Sequence, residues 1–294
     1  MLDVDDGSPP EGQRERLRVA VIGHVEWVEF ARVERVPLPG EIVHASQTWE
    51  EPGGAGAVAA VQLVKLAGAA TLFTALGDDE LGRRARRELE GHRVRVEAVL
   101  RPVPQRRVFC YIDADGERTI TTIGERLGPS RDDPLDWRKV AGADGVYFTA
   151  GDETALRAGR EARVLVATTR VLDDLARAQV PLDAVVGSGK DSSEQYRPGL
   201  LDPPPGLVVL TEGAAGGTYR TANGHLGRFP AAPVPGRVSD TYGSGDSFAA
   251  GLTFALAAGY AVEDALALAA RCGAACLTGR GPYQGQLTLA AGSP

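Results

Sequence analysis

Residues 240–252 read DTYGSGDSFAAGL. Two glycines and a serine stand directly before an aspartate, and an apolar run of helical composition follows. A plain helix start needs only one capping side chain. If the helix begins near Ser244 or Gly245, the N–H groups of Gly243, Ser244 and Gly245 have no intrahelical acceptor and can hold an anion. Glycine also lets the backbone take left-handed angles and lets a ligand come close. Asp246 then falls in the first turn, beside that anion. A carboxylate next to an anion hole fits phosphoryl transfer: the acid takes the proton of a nucleophile while the amides steady the phosphoryl oxygens. The competing reading is an acid that only complements the helix dipole. The two glycines count against it, since they add folding entropy that a simple cap does not require.

Working outward, LRVAVIG (17–23) and ATLFTALG (70–77) are short apolar runs suited to buried strands. GAVAAVQLVKLAG (56–68) and the acid-led DDELGRRARRELEGH read as helices. RRVFCYID and ERTITTIG, joined through Asp115-Gly116, signal a hairpin. DGVYFTAG, RVLVATT, LDAVVGS and GLVVLTEG follow as four more short apolar runs, mostly separated by helical patterns. Two Ala-rich helices, 244–258 and 262–278, close the chain. Short apolar strands alternating with helices predict a doubly wound α/β domain with a mainly parallel sheet covered on both faces. A small β lid is expected from about 25–50 and 98–123, inside a single domain spanning 17–294. Residues 1–16 read as a disordered tail. A lid over the carboxyl ends of a parallel sheet would put a ligand site between the two.

The composition fits this picture: 43% apolar and 24% charged residues, 37 glycines and a net charge of −7. That balance argues against nucleic acid, whose affinity comes largely from Lys and Arg on phosphates. Three cysteines suit a reducing compartment better than a disulfide framework, and Cys272 and Cys276 read as small core residues. No signal peptide and no membrane span is recognisable, so a cytoplasmic protein is expected.

Two motifs are decoys. VVGSGKDSS (185–193) looks like a P-loop, but Ala184 replaces the first glycine and Asp191 follows Lys190 where Ser or Thr is required. GAGAVA (54–59) fits the dinucleotide fingerprint, but TWEEP precedes it instead of a buried strand. A nicotinamide oxidoreductase built on it is the weakest of three readings.

DTYGSGDSFAAGL closely resembles the second signature of the ribokinase-like (PfkB) carbohydrate kinase family. The likeness extends over almost the whole chain from residue 17: VVLTEGAAGGTY resembles the segment beside the nucleotide, TALGDDELG the Gly-Asp stretch after the first crossover, and EEPGGAGAVAAVQLVKLAGA the first signature near the sugar. The resemblance implies ATP-dependent transfer to a hydroxymethyl group, with Asp246 as base and the amides of Gly243, Ser244 and Gly245 as anion hole. It implies Thr211, Gly213 and Gly216 beside the nucleotide. Asp191 and Glu194 stand where the family has Asn-x-x-Glu, and they imply a magnesium site acting through water. It also extends to a potassium-type cation near the 240–242 loop.

On the acceptor side the chain departs from the pattern. Val58 stands near the family's usual Asn. In place of its sugar-binding Asp the chain offers Glu26 and Glu29, read either as one replacement for that acid or as lid-surface acids, in a register the sequence leaves open. Gly53 and Gly54 form the expected turn near the sugar. Asp152 is either a sugar-facing acid or a helix cap. His24 reads as structural first and as a substrate contact second, and Lys190 and Arg118 read as surface charges. The acceptor class stays open between a sugar, a sugar derivative and a nucleoside. The second reading is a non-catalytic sugar or nucleotide sensor on the same fold. The exposed strand at 41–49 is a candidate for pairing with a second copy.

Overall fold

The computed structural model describes residues 17–289; the expected tail at 1–16 lies outside them. In chain order the strands and helices are β1 (Val19–Ile22), β2 (Glu26–Arg32), β3 (Gln47–Gly53), α1 (Ala55–Ala67), β4 (Ala70–Gly77), α2 (Glu80–Gly91), β5 (Val94–Arg101), β6 (Arg107–Ile112), β7 (Arg118–Ile123), α3 (Arg138–Ala141), β8 (Gly145–Phe148), α4 (Glu153–Gly159), β9 (Val164–Thr168), α5 (Leu172–Ala178), β10 (Ala184–Ser188), β11 (Leu207–Thr211), β12 (Gly217–Thr221), β13 (Leu226–Phe229), α6 (Ser244–Ala257) and α7 (Val262–Cys276).

Nine strands form one sheet in the order β13-β12-β11-β10-β9-β8-β1-β4-β5. From β11 to β5 every pairing is parallel, and β12 and β13 add an antiparallel edge. The fold is the expected doubly wound α/β sheet. Val19 and Val21 of β1 join the core under α1, α2, α6 and α7, while Ala20 and Ile22 join the core under α3, α4 and α5. A strand buried on both faces must be apolar at every position, which is why VAVI shows no alternation. The strand order reverses at β1, with β4 and β5 to one side and β8 to β11 to the other. In such sheets ligands bind outside the carboxyl ends of the strands at the reversal.

A second sheet, β3-β2-β6-β7, is the expected small β layer. Its later part begins at Arg107 and not near 98, because β5 stays paired with β4 as far as Arg101. Strand β3 also shows why GAGAVA is not a dinucleotide loop. The strand entering it belongs to this small sheet and pairs antiparallel with β2.

Helices α1 and α6 are buried on nearly every side. Neither has a side-chain cap. Each starts instead at a glycine with positive φ, Gly54 at 84° and Gly243 at 81°. Ala-rich faces let the two helices pack together closely, which brings both glycine starts to the same end of the sheet.

Candidate active site

At Gly243 the left-handed turn is obligatory. A Cβ there would also lie 2.9 Å from Val58 Cγ1 and 3.0 Å from Pro282 Cβ. Val58 therefore packs on the glycine turn and offers nothing to a polar ligand. The first backbone bond of α6 runs from Ser247 N to Gly243 O at 2.9 Å. The N–H groups of Gly243, Ser244, Gly245 and Asp246 have no protein acceptor among the described residues. Gly245 is exposed, its φ is not left-handed, and a Cβ added to it would meet none of the described residues within 4 Å beyond its own turn of helix. The space beside the free amides is therefore open, and the backbone presents it as an anion cradle.

Asp246 stands at the edge of this cradle. Burial raises its carboxyl pKa above the usual aspartate value, while Arg170 and Arg118 pull it back down. Arg170 was not singled out from the sequence. It follows β9 in a tight turn in which Thr168 Oγ1 accepts from Arg170 N at 3.3 Å. Its Nε donates to Glu194 Oε1 at 2.7 Å, and Glu194 Oε2 accepts from Ser188 N at 3.0 Å. Glu194 thus ties the ends of β9 and β10 together and holds a guanidinium facing Asp246. The arginine directly behind the apolar run RVLVATT was the available signal: at the carboxyl edge of a parallel sheet such a residue faces the ligand crevice.

Asp191 is exposed. Its Oδ1 accepts from Ser193 N at 2.9 Å and Ser193 Oγ at 2.6 Å, leaving Oδ2 without a partner among the described residues. Thr211 ends β11 and donates through Oγ1 to Gly187 O at 3.3 Å. Gly213 and Gly216 follow with φ of 65° and 81°. A Cβ on Gly216 would collide with Phe229 O, and one on Gly213 would lie 3.1 Å from Lys190 Nζ. Lys190 therefore reaches back over this loop while remaining an exposed charge, as read from the sequence.

On the other side, β2 runs over the ends of β1 and α1. Its alternation separates the two candidate glutamates. Val28, Phe30 and Arg32 share the inner face with Glu26: the Phe30 ring meets Tyr242 edge-on at 5.1 Å, and Arg32 donates to Ser239 O at 3.2 Å. Trp27 and Glu29 point the other way. Arg84 lies 4.4 Å over the Trp27 ring, and Arg107 Nε donates to Glu29 Oε1 at 3.0 Å. Glu26 joins the group around Asp246, and Glu29 does not.

Glu26 Oε1 lies 2.7 Å from Arg106 Nε and 3.7 Å from His24 Nε2. Burial raises the Glu26 pKa, against the pull of Arg106 and Arg126. The same burial, with Arg126, Arg106 and Arg170 nearby, lowers the His24 pKa well below normal and keeps the imidazole neutral. Its Nδ1 is buried without a hydrogen-bond partner among the described residues. Gly53 and Gly54 close the group. A Cβ on Gly54 would press on His24 and Glu26, and Gly54 N donates to Tyr242 Oη at 3.0 Å. Tyr242 thereby fixes the 53–54 turn to the α6 start.

Asp152 caps α4, accepting from Ala155 N at 2.8 Å and Thr154 Oγ1 at 2.6 Å. The Asp240 carboxylate, at the loop where a monovalent cation was expected, accepts from Tyr242 N at 3.1 Å and Gly281 N at 2.7 Å. It shapes the loop entering α6.

Among the described residues no helix is long and apolar enough to cross a membrane. The model of the pfkB family carbohydrate kinases matches residues 16–173 and 181–288. An ATP-dependent ribose-1-phosphate kinase of Halopiger xanaduensis is 32% identical over 88% of this chain and 91% of its own length. A fructokinase of Klebsiella pneumoniae is 30% identical over 80% and 90%. Among solved structures, a ribokinase of Thermotoga maritima superposes with a TM-score of 0.74 at 19% identity, over 92% of this chain and 96% of that one. Arabidopsis thaliana ribokinase, complexed with ribose and ATP, gives 0.69 at 19% identity, over 92% and 96%. The chain belongs to the pfkB family of carbohydrate kinases.

Proposed function

We propose that the protein transfers the γ-phosphoryl group of ATP to a hydroxyl of a small sugar or sugar-like molecule bound between Asp246 and the small sheet. The observation that carries this is the row of free N–H groups at 243–246 beside the half-buried Asp246 carboxylate. In the transfer, the acceptor oxygen forms a bond to the γ-phosphorus and the bond from that phosphorus to ADP breaks. The acceptor proton passes to Asp246. The amides at 243–246 bind the phosphoryl oxygens as charge develops, and Arg170 adds a cation on the Asp246 side.

Thr211, Gly213 and Gly216 shape the nucleotide groove, with Lys190 beside Gly213. Magnesium fits the acids present. Each Glu194 oxygen accepts one hydrogen bond and keeps a lone pair, and Asp191 Oδ2 is free among the described residues. Glu194 and Asp191 would hold the ion through water, and it would neutralise phosphate charge. Gly53, Gly54 and Glu26 line the acceptor side.

The test is ADP release from ATP across free sugars, sugar phosphates and nucleosides. At least one acceptor should give stoichiometric ADP and phosphorylated product. Ligand binding with no turnover across the whole panel would reject the kinase reading of this site.

A further inference from the structure

Helices α1 and α6 both start without a side-chain cap. Such a start leaves its first N–H groups bare and frays unless something else holds it. At α6 those bare groups are the ones assigned to the phosphoryl oxygens. The stretch after α7, residues 279–289, supplies a hold. It fastens to three parts of the fold. Gly281 N donates to Asp240 Oδ2 at 2.7 Å, Tyr283 Oη donates to Pro52 O at 2.6 Å, and Leu287 O accepts from Gln62 Nε2 of α1 at 2.8 Å.

Gln286 is the residue of this stretch that reaches both helices. Its side chain is buried, and Nε2 donates to Val58 O of α1 at 2.9 Å and to Ser247 Oγ of α6 at 3.2 Å. The two partners converge on one glycine. A Cβ on Gly243 would lie 2.9 Å from Val58 Cγ1, and Ser247 N closes the first α6 bond onto Gly243 O at 2.9 Å. Pro282, in the same stretch as Gln286, would stand 3.0 Å from that Cβ. Gly243 is therefore gripped from α1, from its own helix and from the 279–289 stretch, and Gln286 joins all three. An amide costs free energy to bury unless its hydrogen bonds are made. Gln286 Oε1 is buried with no partner among the described residues. Methionine would fill the same volume without that cost, so what the glutamine contributes is the Nε2 donor.

We propose that Gln286 is a positioning residue for phosphoryl transfer: it holds the Gly243 turn from behind, so that the 243–246 amides stand ready before ATP arrives. This rests on the phosphoryl-transfer reading of the same site. Donors fixed in advance meet developing charge without reorganising. Where the competent turn is populated only part of the time, apparent affinity falls by that fraction.

The test compares Gln286→Met with Gln62→Met in the full chain. Each removes one buried amide that fastens the 279–289 stretch to α1, but only the first removes a bond to α6. Both should lower the thermal midpoint by similar amounts. Gln286→Met should weaken calorimetric ATP binding by about tenfold, as for a turn that is competent about one tenth of the time. Gln62→Met should weaken it by less than about threefold. AMP, which lacks the two outer phosphates, should bind all three proteins alike. With a turned-over acceptor, Gln286→Met should change kcat and the KM for ATP and leave the KM for the acceptor unchanged. Ser247→Ala removes one of the two acceptors of the Gln286 amide in a residue type that favours helix, so it reads the same link if Gln286→Met does not fold. It should weaken ATP by about two- to fivefold, the lower range of one lost neutral hydrogen bond. Equal ATP losses in the two glutamine variants, an equal loss for AMP, or unchanged ATP affinity in Gln286→Met or Ser247→Ala would each overturn the proposal. ATP binding that Gln286→Met weakens, with no ADP release by the wild type on any acceptor, would reject the kinase reading and leave this one standing. ADP release that Gln286→Met leaves unchanged would do the reverse. A wild type with no affinity for ATP would reject both.

Discussion

Gly245→Ala separates folding from ligand binding at the α6 start. Beyond its own turn of helix, a Cβ at this position meets none of the described residues within 4 Å, and the backbone is not in the left-handed region. The folded chain therefore tolerates the methyl group. Alanine is the better helix former by ~0.8–1 kcal/mol in a helix interior, and about half of that applies in a first turn. The variant should gain roughly 0.5 kcal/mol, a rise in thermal midpoint of about 1–2 °C. The same methyl group stands in the space beside the four free amides. It pushes a phosphoryl oxygen away from donors whose bonds weaken steeply with distance and angle. Loss of one charge-assisted bond is worth about 1.5–3 kcal/mol, so kcat/KM for ATP should fall by about 10- to 100-fold. Scanning calorimetry and an ADP-release assay on the same preparation decide it. Unchanged kcat/KM would refute the cradle, and a lowered midpoint would refute the packing argument. Gly243→Ala is no substitute, because its positive φ and the contact with Val58 make it unfold the loop as well.

Two further outcomes follow from the buried charges. Burial raises the Asp246 pKa while Arg170 opposes it, so the acidic limb of kcat/KM should lie above the ordinary aspartate range. Arg170→Met should move that limb to still higher pH, and an unmoved or lowered limb would show that Arg170 does not act on the base. Glu51 sits half-buried on β3, accepting from Trp49 Nε1 at 3.0 Å, and burial pushes its carboxyl from 4.5 up to about 7. The folded state then holds a proton that the unfolded chain has lost, so this group's contribution to stability falls as pH rises from about 4.5 to about 7. Glu51→Gln should remove that slope and be more stable by about 1–2 kcal/mol near pH 8. Equal denaturation midpoints for the two proteins near pH 5 and pH 8 would sink the assignment.

The main sheet was legible because strands buried on both faces must be apolar throughout, and VAVI and ATLFTALG advertise that without any tertiary information. The α6 start was legible because its signal is local: glycines, a serine and an acid within four residues. The boundary of β5 was not, since its pairing with β4 is a property of the assembled sheet. Glu26 and Glu29 could not be told apart until β2 had a register, because a one-residue slip exchanges the two faces. Asp152 carried two readings from the sequence, and hydrogen bonds from Ala155 N and Thr154 Oγ1 place it as the cap of α4. Arg106, Arg126 and Arg170 lie far apart in the chain, and each alone looks like an ordinary surface charge. Only the assembled fold brings Arg106 to Glu26 and Arg170 to Glu194, each at 2.7 Å.

In the proposed transfer Asp246 takes the proton of the acceptor hydroxyl. Asp246→Asn keeps the shape and the neighbouring amides but removes the basic oxygen. With a turned-over acceptor in hand, kcat of this variant is the most direct measurement. A loss of about 10²–10⁴-fold in kcat is expected, with ATP affinity retained. A variant that turns over at close to the wild-type rate would contradict it.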